Sequence, residues 1–128
     1  MEVVIPEGKQ STYDVAHFAP AVIDGDRIFV AGIIGADAAG KVPGDPTEQF
    51  RCAFEGVKEV LAAAGAGLAD IVEMTTYHVE LHEHLAAFVA VKDEYIAEPY
   101  PAWTAIGISA LARRRGLVEI RVTASKNK

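Results

Sequence analysis

A single amphipathic helix in the first half of this 128-residue chain is the strongest constraint on its fold. Its apolar residues recur every three or four positions, a period that places them on one side of an α-helix. They are Phe50, Ala53, Phe54, Val57, Leu61 and Ala64. Thr47 is the predicted N-cap, and Gly65 is predicted to end the helix because glycine accepts the left-handed conformation. A single apolar stripe has to be buried against a second layer of structure.

The remaining pattern predicts a sheet as that second layer. Alternating or β-branched segments predict strands over residues 19–23, 27–32, 71–79, 102–109 and 117–124, and a second amphipathic helix spans about 83–97. Residues 33–46 contain three glycines and two prolines, which indicate a loop. The order β-β-α-β-α-β-β predicts one α+β domain over residues 1–128, with a mixed sheet and both helices on one face.

No predicted element packs against the other face of the sheet. In the last strand Val118 and Ile120 alternate with Glu119 and Arg121, so the two pairs point to opposite faces. Two helices are too few to cover both faces, and oligomerisation is a common way to bury the second one. We therefore expect the chain to assemble with copies of itself.

Composition limits the partners and the compartment. A net charge of −6 argues against a nucleic-acid partner, because phosphate binding needs a basic surface. No apolar run approaches the length of a membrane span, and Met1-Glu2-Val3-Val4 lacks the basic start of a signal peptide. The single cysteine, Cys52, excludes an internal disulfide and fits a reducing compartment. We expect a cytoplasmic protein that binds neither nucleic acid nor a membrane.

The only tryptophan of the chain follows a segment with two prolines, Pro99-Tyr100-Pro101, which stops the second helix. On the predicted strand that comes next, Trp103, Ala105 and Gly107 share one face. The large ring therefore stands beside nearly bare neighbours. Such a surface suits either a small ligand or a second protein chain.

Three short motifs give the chain a family resemblance. They are Phe29-Val30-Ala31-Gly32, Pro101-Ala102-Trp103-Thr104 and Val118-Glu119-Ile120. The chain resembles the Rid family (reactive intermediate deaminases, YjgF-like proteins), whose signature at the second motif is Pro-Ala-Arg-Ser. A tryptophan at the third position of that motif is similar to the YjgH-type branch. Across the whole chain, the resemblance implies a chorismate-mutase-like fold, a homotrimer with a barrel-like core, and small-molecule clefts between neighbouring subunits.

The resemblance also implies roles for residues that match the family cleft. Glu119 matches the glutamate proposed to hold the attacking water, which makes it the candidate catalytic residue. Gly32 matches a glycine whose amide faces the substrate, Tyr13 matches a tyrosine of the cleft, and Ala105 stands where a family cysteine can occur. Other interpretations stay open, because Glu119 can instead pair with Arg121 across the strand and Tyr13 can pack at a subunit seam.

Three residues depart from the family pattern. Trp103 replaces the arginine that binds the substrate carboxylate in the deaminating branch, and an indole favours planar, apolar or cationic ligands instead. Lys92 replaces an asparagine; it either binds an anion or attacks a carbonyl, or it lays its stem on the core with its ammonium in solvent. Arg121 is a second candidate for the missing anion-binding group.

The family resemblance, together with these departures from it, implies two alternative functions. One is a hydrolase, deaminase-like, that adds water to an imine or enamine other than the usual imino acids. The alternative is a non-catalytic protein of the same fold that binds or senses a small molecule. No cofactor is expected, and no metal site, because His78, His82 and His84 lack the spacing of a zinc motif.

Overall fold

Seven strands form one mixed sheet in the computed structural model, which describes residues 1–126. In chain order the elements are β1 (Glu2–Val4), α1 (Gln10–Asp14), β2 (Ala21–Asp24), β3 (Arg27–Val30), β4 (Ile33–Ile34), α2 (Pro46–Ala63), a 3-10 turn (Leu68–Asp70), β5 (Ile71–Val79), α3 (Leu81–Tyr95), β6 (Ala102–Ile108) and β7 (Val118–Ser125). The strand order is β1-β2-β3-β7-β5-β6, and β4 pairs with β7 further along the same edge as β3. Strands β5 and β6 are parallel, whereas the other pairs of described strands are antiparallel. The predicted α+β class and mixed sheet are confirmed.

Helix α2 has the predicted apolar stripe but starts earlier than expected. Asp45 is its N-cap and accepts a hydrogen bond of 3.0 Å from the Glu48 amide. Pro46 follows at the first helical position, where its missing N–H costs nothing. The prediction that Thr47 caps the helix is therefore wrong, because Thr47 lies inside the first turn. At the other end Gly65 has a φ of 83°, so the predicted helix end is confirmed.

The two long helices pack together on one face of the sheet. Every residue of the predicted α2 stripe is at most 4% exposed. The Phe88 ring of α3 lies 5.4 Å from Phe50 and 5.6 Å from Phe54, measured between ring centroids. Beneath these rings, Val118 and Ile120 of β7 are fully buried. The helix-facing side of the sheet is therefore the core of the chain.

The opposite face of the sheet is open within one chain. Phe29 of β3 is 39% exposed and Ile106 of β6 is 40% exposed. Arg121 is also exposed on this side, whereas Glu119 is half-buried. The alternation predicted for β7 is confirmed, because Val118, Ile120, Val122 and Ala124 are all buried on the other side.

Four short elements lie where no element was predicted: β1, α1, β4 and the 3-10 turn. The two-residue strand β4 lies in the segment predicted as a loop, and it forms by pairing Ile33 with Ile120 and Ile34 with Glu119. Because these partners lie far away in the sequence, the β4 segment has no local periodicity by which it could be predicted. Among residues 1–126, none of the helices is both long enough and apolar enough to span a membrane.

Candidate functional site

Trp103 lies on the edge strand β6 and points to the helix-facing side of the sheet. In the parallel β5–β6 register, Trp103 is opposite Met74, Ala105 is opposite Thr76 and Gly107 is opposite His78. Trp103, Ala105 and Gly107 therefore share one face, as predicted. The surface beside the ring is less bare than expected, because Leu81 lies 3.5 Å from the position that a Cβ of Gly107 would take.

The indole is fixed by a chain of side-chain hydrogen bonds. Its Nε1–H donates to Thr76 Oγ1 at 2.9 Å, and Thr76 Oγ1 lies 2.7 Å from His78 Nε2. His78 is fully buried and packs edge-on against Phe88, with 4.7 Å between ring centroids. Burial lowers the pKa of His78 below its ordinary value, so the ring is neutral at physiological pH. The polar edge of Trp103 is thus anchored inside the protein.

Lys92 of α3 lies against the same ring. Its Nζ is 4.8 Å from the Trp103 ring centroid, within the range of a cation–π contact. Only 13% of the Lys92 side chain is exposed, and the nearest carboxylate oxygen, Asp93 Oδ1, is 3.8 Å from Nζ. The Lys92 stem is therefore buried, as one of the interpretations expects, and its ammonium lies between the Trp103 ring and the exposed Asp93 carboxylate.

Glu119 and Gly32 form a second group on the other side of the sheet. Glu119 lies on β7, and Gly32 lies between β3 and β4. A Cβ at Gly32 would stand 2.5 Å from both Cδ and Oε2 of Glu119, so the glycine leaves the space that the carboxylate occupies. Within residues 1–126, no hydrogen bond or ion pair joins Glu119 to Arg121. The structural pair that was the alternative for Glu119 does not form within one chain.

An open groove of about 1010 Å³ surrounds this second group. Glu119 and Gly32 line it together with Lys9 and Thr12 from the segment around α1, and with residues of α2. Tyr13 is not among the lining residues, although it follows Thr12 directly and is 44% exposed. The groove is large enough for a small metabolite.

The two groups lie at different edges of the sheet. Trp103, Ala105 and Lys92 belong to the β6 edge, whereas Gly32 and Glu119 belong to the β4 edge. Three strand spacings separate β4 from β6, which is about 14 Å. The groups also face opposite sides of the sheet. A single chain therefore does not bring together the residues predicted to form one cleft, and Arg121 lies on the opposite side of the sheet from Trp103.

The histidines and the cysteine are dispersed. His78 lies in β5, whereas His82 and His84 lie in the first turns of α3. Across residues 1–126, no three His, Cys, Asp or Glu side chains are arranged to hold a metal ion. Cys52 is half-buried on α2 at the groove, and burial raises the pKa of its thiol.

Sequence reasoning missed the role of Thr76. The available signal was the alternation of β5, in which Thr76 and His78 occupy the same face as the buried Met74. Two polar residues on the apolar face of a strand indicate a buried hydrogen-bond network, because unpaired polar groups there are costly.

Comparison with known proteins places these features in a family. Residues 8–126 match the family model described as Endoribonuclease L-PSP. The RutC family protein YjgH of Escherichia coli is 36% identical over 110 residues, which cover 85% of this chain and 84% of that protein. The 2-iminobutanoate/2-iminopropanoate deaminase of Capra hircus is 30% identical over 115 residues, which cover 86% of this chain and 80% of the relative.

A solved structure supports the same assignment. The structure of a protein named YJGH superposes with a TM-score of 0.87 at 35% identity, covering 96% of this chain and 94% of the other. The resemblance to the Rid proteins, and to their YjgH-type branch, is therefore confirmed. The chain belongs to the Endoribonuclease L-PSP family, and a RutC family protein and an iminobutanoate deaminase are among the proteins that it resembles.

Proposed function

We propose that this protein is a homotrimer that hydrolyses C=N bonds of small molecules in clefts between its subunits. The observation that carries the proposal is the Glu119 carboxylate, which has no partner within residues 1–126 and lies over Gly32 in an open groove. A carboxylate held in this way is suited to accept a proton from water. The substrates are imines or enamines other than the usual imino acids of the family, because Trp103 replaces the arginine that binds their carboxylate.

The positions of the two residue groups support assembly through the sheet edges. If the β6 edge of one subunit meets the β4 edge of the next, Trp103 and Ala105 of the first come near Gly32 and Glu119 of the second. Contacts between two different surfaces close into a ring when the rotation allows it. The open sheet face, with Phe29 and Ile106 exposed, then faces the centre of that ring and is buried. The proposed number of subunits, three, comes from the family resemblance.

The chemistry needs few groups. Glu119 takes a proton from a water molecule while the water oxygen attacks the carbon of the C=N bond, and the nitrogen receives the proton. The resulting carbinolamine collapses to a carbonyl compound and releases ammonia or an amine. In this proposal the Gly32 amide and the Tyr13 hydroxyl donate hydrogen bonds to the substrate, Ala105 leaves room for it, and Trp103 forms a wall.

Replacement of Glu119 by glutamine tests the catalytic role. Ammonia release is measured with 2-iminobutanoate generated in the assay and with a panel of cyclic imines and enamines. We expect turnover of at least one panel member well above that of 2-iminobutanoate, and a loss of about 100-fold in Glu119→Gln. Glu48→Gln, an exposed change outside the groove, is the control. A Glu119→Gln protein with unchanged turnover contradicts the proposal.

The oligomeric state of the protein is tested by a separate experiment. Analytical ultracentrifugation is expected to give a mass about three times the chain mass of 13.6 kDa. Phe29→Asp and Ile106→Asp place a charge on the open sheet face, and each is expected to shift the protein towards the monomer with loss of turnover. A monomeric wild-type protein with full activity rules out clefts between subunits.

A non-catalytic function is the second candidate, and the state of Trp103 favours it. The polar edge of the indole is already bonded to Thr76, and Lys92 covers the ring, which describes a binding wall rather than a reactive group. Saturable binding of a panel compound without turnover supports this candidate. Nucleic acid is not part of either proposal, because the net charge is −6. We place the protein in the cytoplasm, where a free thiol such as that of Cys52 stays reduced.

A further inference from the structure

We propose that residues 36–42 form a flap over the groove that contains Glu119, and that the side chain of Arg113 latches this flap. The inference rests on the proposed function, because it takes the groove to be the place where the substrate binds. The flap opens to admit a ligand and closes over it, and the latch sets how often it is open. The sequence predicts only a loop in this region.

The two ends of the flap are fixed at the same buried residue, Gln49 of α2, which is 1% exposed. Its Nε2 donates a hydrogen bond of 3.1 Å to the carbonyl of Pro43, directly after the flap. Gly35, directly before the flap, packs so closely on α2 that a Cβ there would collide with the Gln49 carbonyl. A segment of this length whose ends lie close together is an Ω-loop, a type of surface segment that is frequently functional.

Hydrogen bonds inside the flap hold it together. Asp37 Oδ1 accepts from the amides of Ala39 and Lys41, each at 2.9 Å. The Asp37 amide donates to the Lys41 carbonyl at 2.8 Å, and the Gly40 amide donates to the Asp37 carbonyl at 2.9 Å. The flap therefore keeps its own shape when it moves relative to the sheet and α2.

Arg113, in the connection between β6 and β7, joins the flap to the rest of the chain. Its Nη2 donates to the Gly40 carbonyl at 2.9 Å, and it is the one side chain outside the flap that is hydrogen-bonded to it within residues 1–126. The turn that carries Arg113 is itself fixed, because Gln49 Nε2 also donates to the Arg115 carbonyl at 3.1 Å. A single exposed hydrogen bond changes an equilibrium by about three- to tenfold. The latch therefore holds the flap without locking it.

The flap and Cys52 line the same groove. Ala36, Asp37, Ala38 and Gly40 of the flap and Cys52 of α2 are all at its surface. Burial raises the pKa of the half-buried Cys52 thiol, and nearby carboxylates, including that of Asp37, raise it further. The effect of Asp37 places the flap near the thiol. Because Cys52 is the only cysteine of the chain, its reactivity reports on the position of the flap.

Alkylation of Cys52 by iodoacetamide, a small neutral reagent, tests the latch on the full-length protein, with the rate followed by mass spectrometry. In Arg113→Met the flap loses its latch, and we expect the rate to rise by about three- to tenfold. Arg113→Lys retains a donor for the Gly40 carbonyl and is expected to stay within about twofold of the wild type. Arg114→Met removes the same charge from the next residue, which is not bonded to the flap, and is expected to leave the rate unchanged. Equal rates in the wild type and in Arg113→Met overturn the proposal.

A second pair of variants covers the case in which Arg113→Met does not fold. Asp37→Ala removes the oxygen that accepts from Ala39 and Lys41, so the flap loses its internal support and the rate is expected to rise by about threefold or more. Asp37→Asn keeps an oxygen acceptor and removes only the charge, so it corrects for the effect of that charge on the thiol. If Asp37→Ala then reacts no faster than Asp37→Asn, the flap is not a moving part and the proposal is overturned.

Turnover shows whether the flap acts on the ligand. With a panel imine that the wild type hydrolyses, Arg113→Met is expected to raise KM by about fivefold or more and to change kcat by less than about threefold, because the flap covers the substrate without touching the reacting atoms. Arg113→Lys is expected to restore KM. An unchanged KM in Arg113→Met overturns the role of the latch in substrate binding.

These outcomes are separable from those of the proposed function. Faster alkylation of Cys52 in Arg113→Met, in a protein that hydrolyses no imine, leaves the flap in place and removes the enzyme. Imine hydrolysis that depends on Glu119, with equal alkylation rates in the wild type and in Arg113→Met, removes the flap and leaves the enzyme.

Discussion

The two edges of the sheet are built in opposite ways. At the β6 edge, Trp103, Thr76 and His78 are linked by short hydrogen bonds, and Lys92 is held against the ring. At the β4 edge, Gly32 supplies empty space, and Glu119 occupies it without a bonded partner in residues 1–126. At the β6 edge the indole N–H and His78 Nε2 are bonded, although the buried His78 Nδ1 has no hydrogen-bond partner in residues 1–126, whereas at the β4 edge the Glu119 carboxylate itself has none. In the proposed function, the residue that forms the wall of the cleft is thus held in place by a hydrogen bond, while the proposed proton acceptor has no competing partner in residues 1–126.

The largest effect, on turnover, is expected when a side chain is added at Gly32, on the β4 edge. In Gly32→Ala the new Cβ would meet the Glu119 carboxylate at 2.5 Å, so the flexible side chain has to move away. We expect turnover to fall by about 10- to 100-fold through loss of positioning, with almost no change in the melting temperature.

Gly67→Ala is the matched control, because a Cβ there meets no atom within 4 Å and its backbone φ of −140° suits alanine. Loss of stability in Gly32→Ala comparable to its loss of turnover would show that Gly32 serves folding, and the contrast between the two edges would then fail.

The next effect concerns the hydrogen bonds at the β6 edge. Thr76→Val keeps the shape of the side chain but leaves Trp103 Nε1 and His78 Nε2 without their partner, at a cost of about 2 kcal/mol in unfolding free energy. Denaturant unfolding measures that cost, and the emission spectrum of Trp103 reports the loss of the bond.

Thr76→Ser retains the hydroxyl and is expected to restore the emission spectrum and most of the stability. If valine and serine behave alike, the hydrogen bonds do not fix the indole, and the β6 edge is no more rigid than the β4 edge.

The smallest effect is a dependence of stability on pH. The pKa of His78 is lowered in the folded chain, whereas in the unfolded chain it has its ordinary value near 6.5. The unfolded state therefore binds the proton first as the pH falls. Stability from this group is fully present above about pH 6.5 and decreases below it, by at most about 1.4 kcal/mol per pH unit.

Unfolding free energies at pH 7.0 and 5.5 measure this dependence. His78→Gln is expected to have a smaller decrease between the two pH values than the wild type, because it lacks the group whose pKa burial lowers. His82→Gln, an exposed histidine on α3, is expected to leave the decrease unchanged. An equal decrease in all three proteins indicates that His78 is not the group that titrates.

The sequence predicts the elements with strong local periodicity and misses those that depend on distant partners. The α2 stripe and the bounds of β5 were predicted correctly, because each repeats its pattern over many residues. Strand β4 was missed, since two residues next to β7 carry no pattern of their own. At the start of α2, the preference of proline for the first helical position favours Asp45 as the N-cap over Thr47.

The sequence likewise predicts some features of the candidate site and misses others. Strand alternation is sufficient to place Trp103 with Ala105, and Glu119 with Arg121. It does not show that Glu119 lies over Gly32, or that Trp103 bonds to a threonine 27 residues earlier. Such contacts depend on strand order and register, which one sequence does not encode locally.

The position of β7 has a consequence for how the chain is made. This strand lies between β3 and β5 and also pairs with β4, yet it is the last described strand to leave the ribosome. Until it emerges, the strands on its two sides have no partner to connect them, and Glu119 itself is not yet present. The sheet of the nascent chain therefore lacks the strand that joins its two parts, so a ribosome that stalls late releases a product with exposed strand edges that invite aggregation.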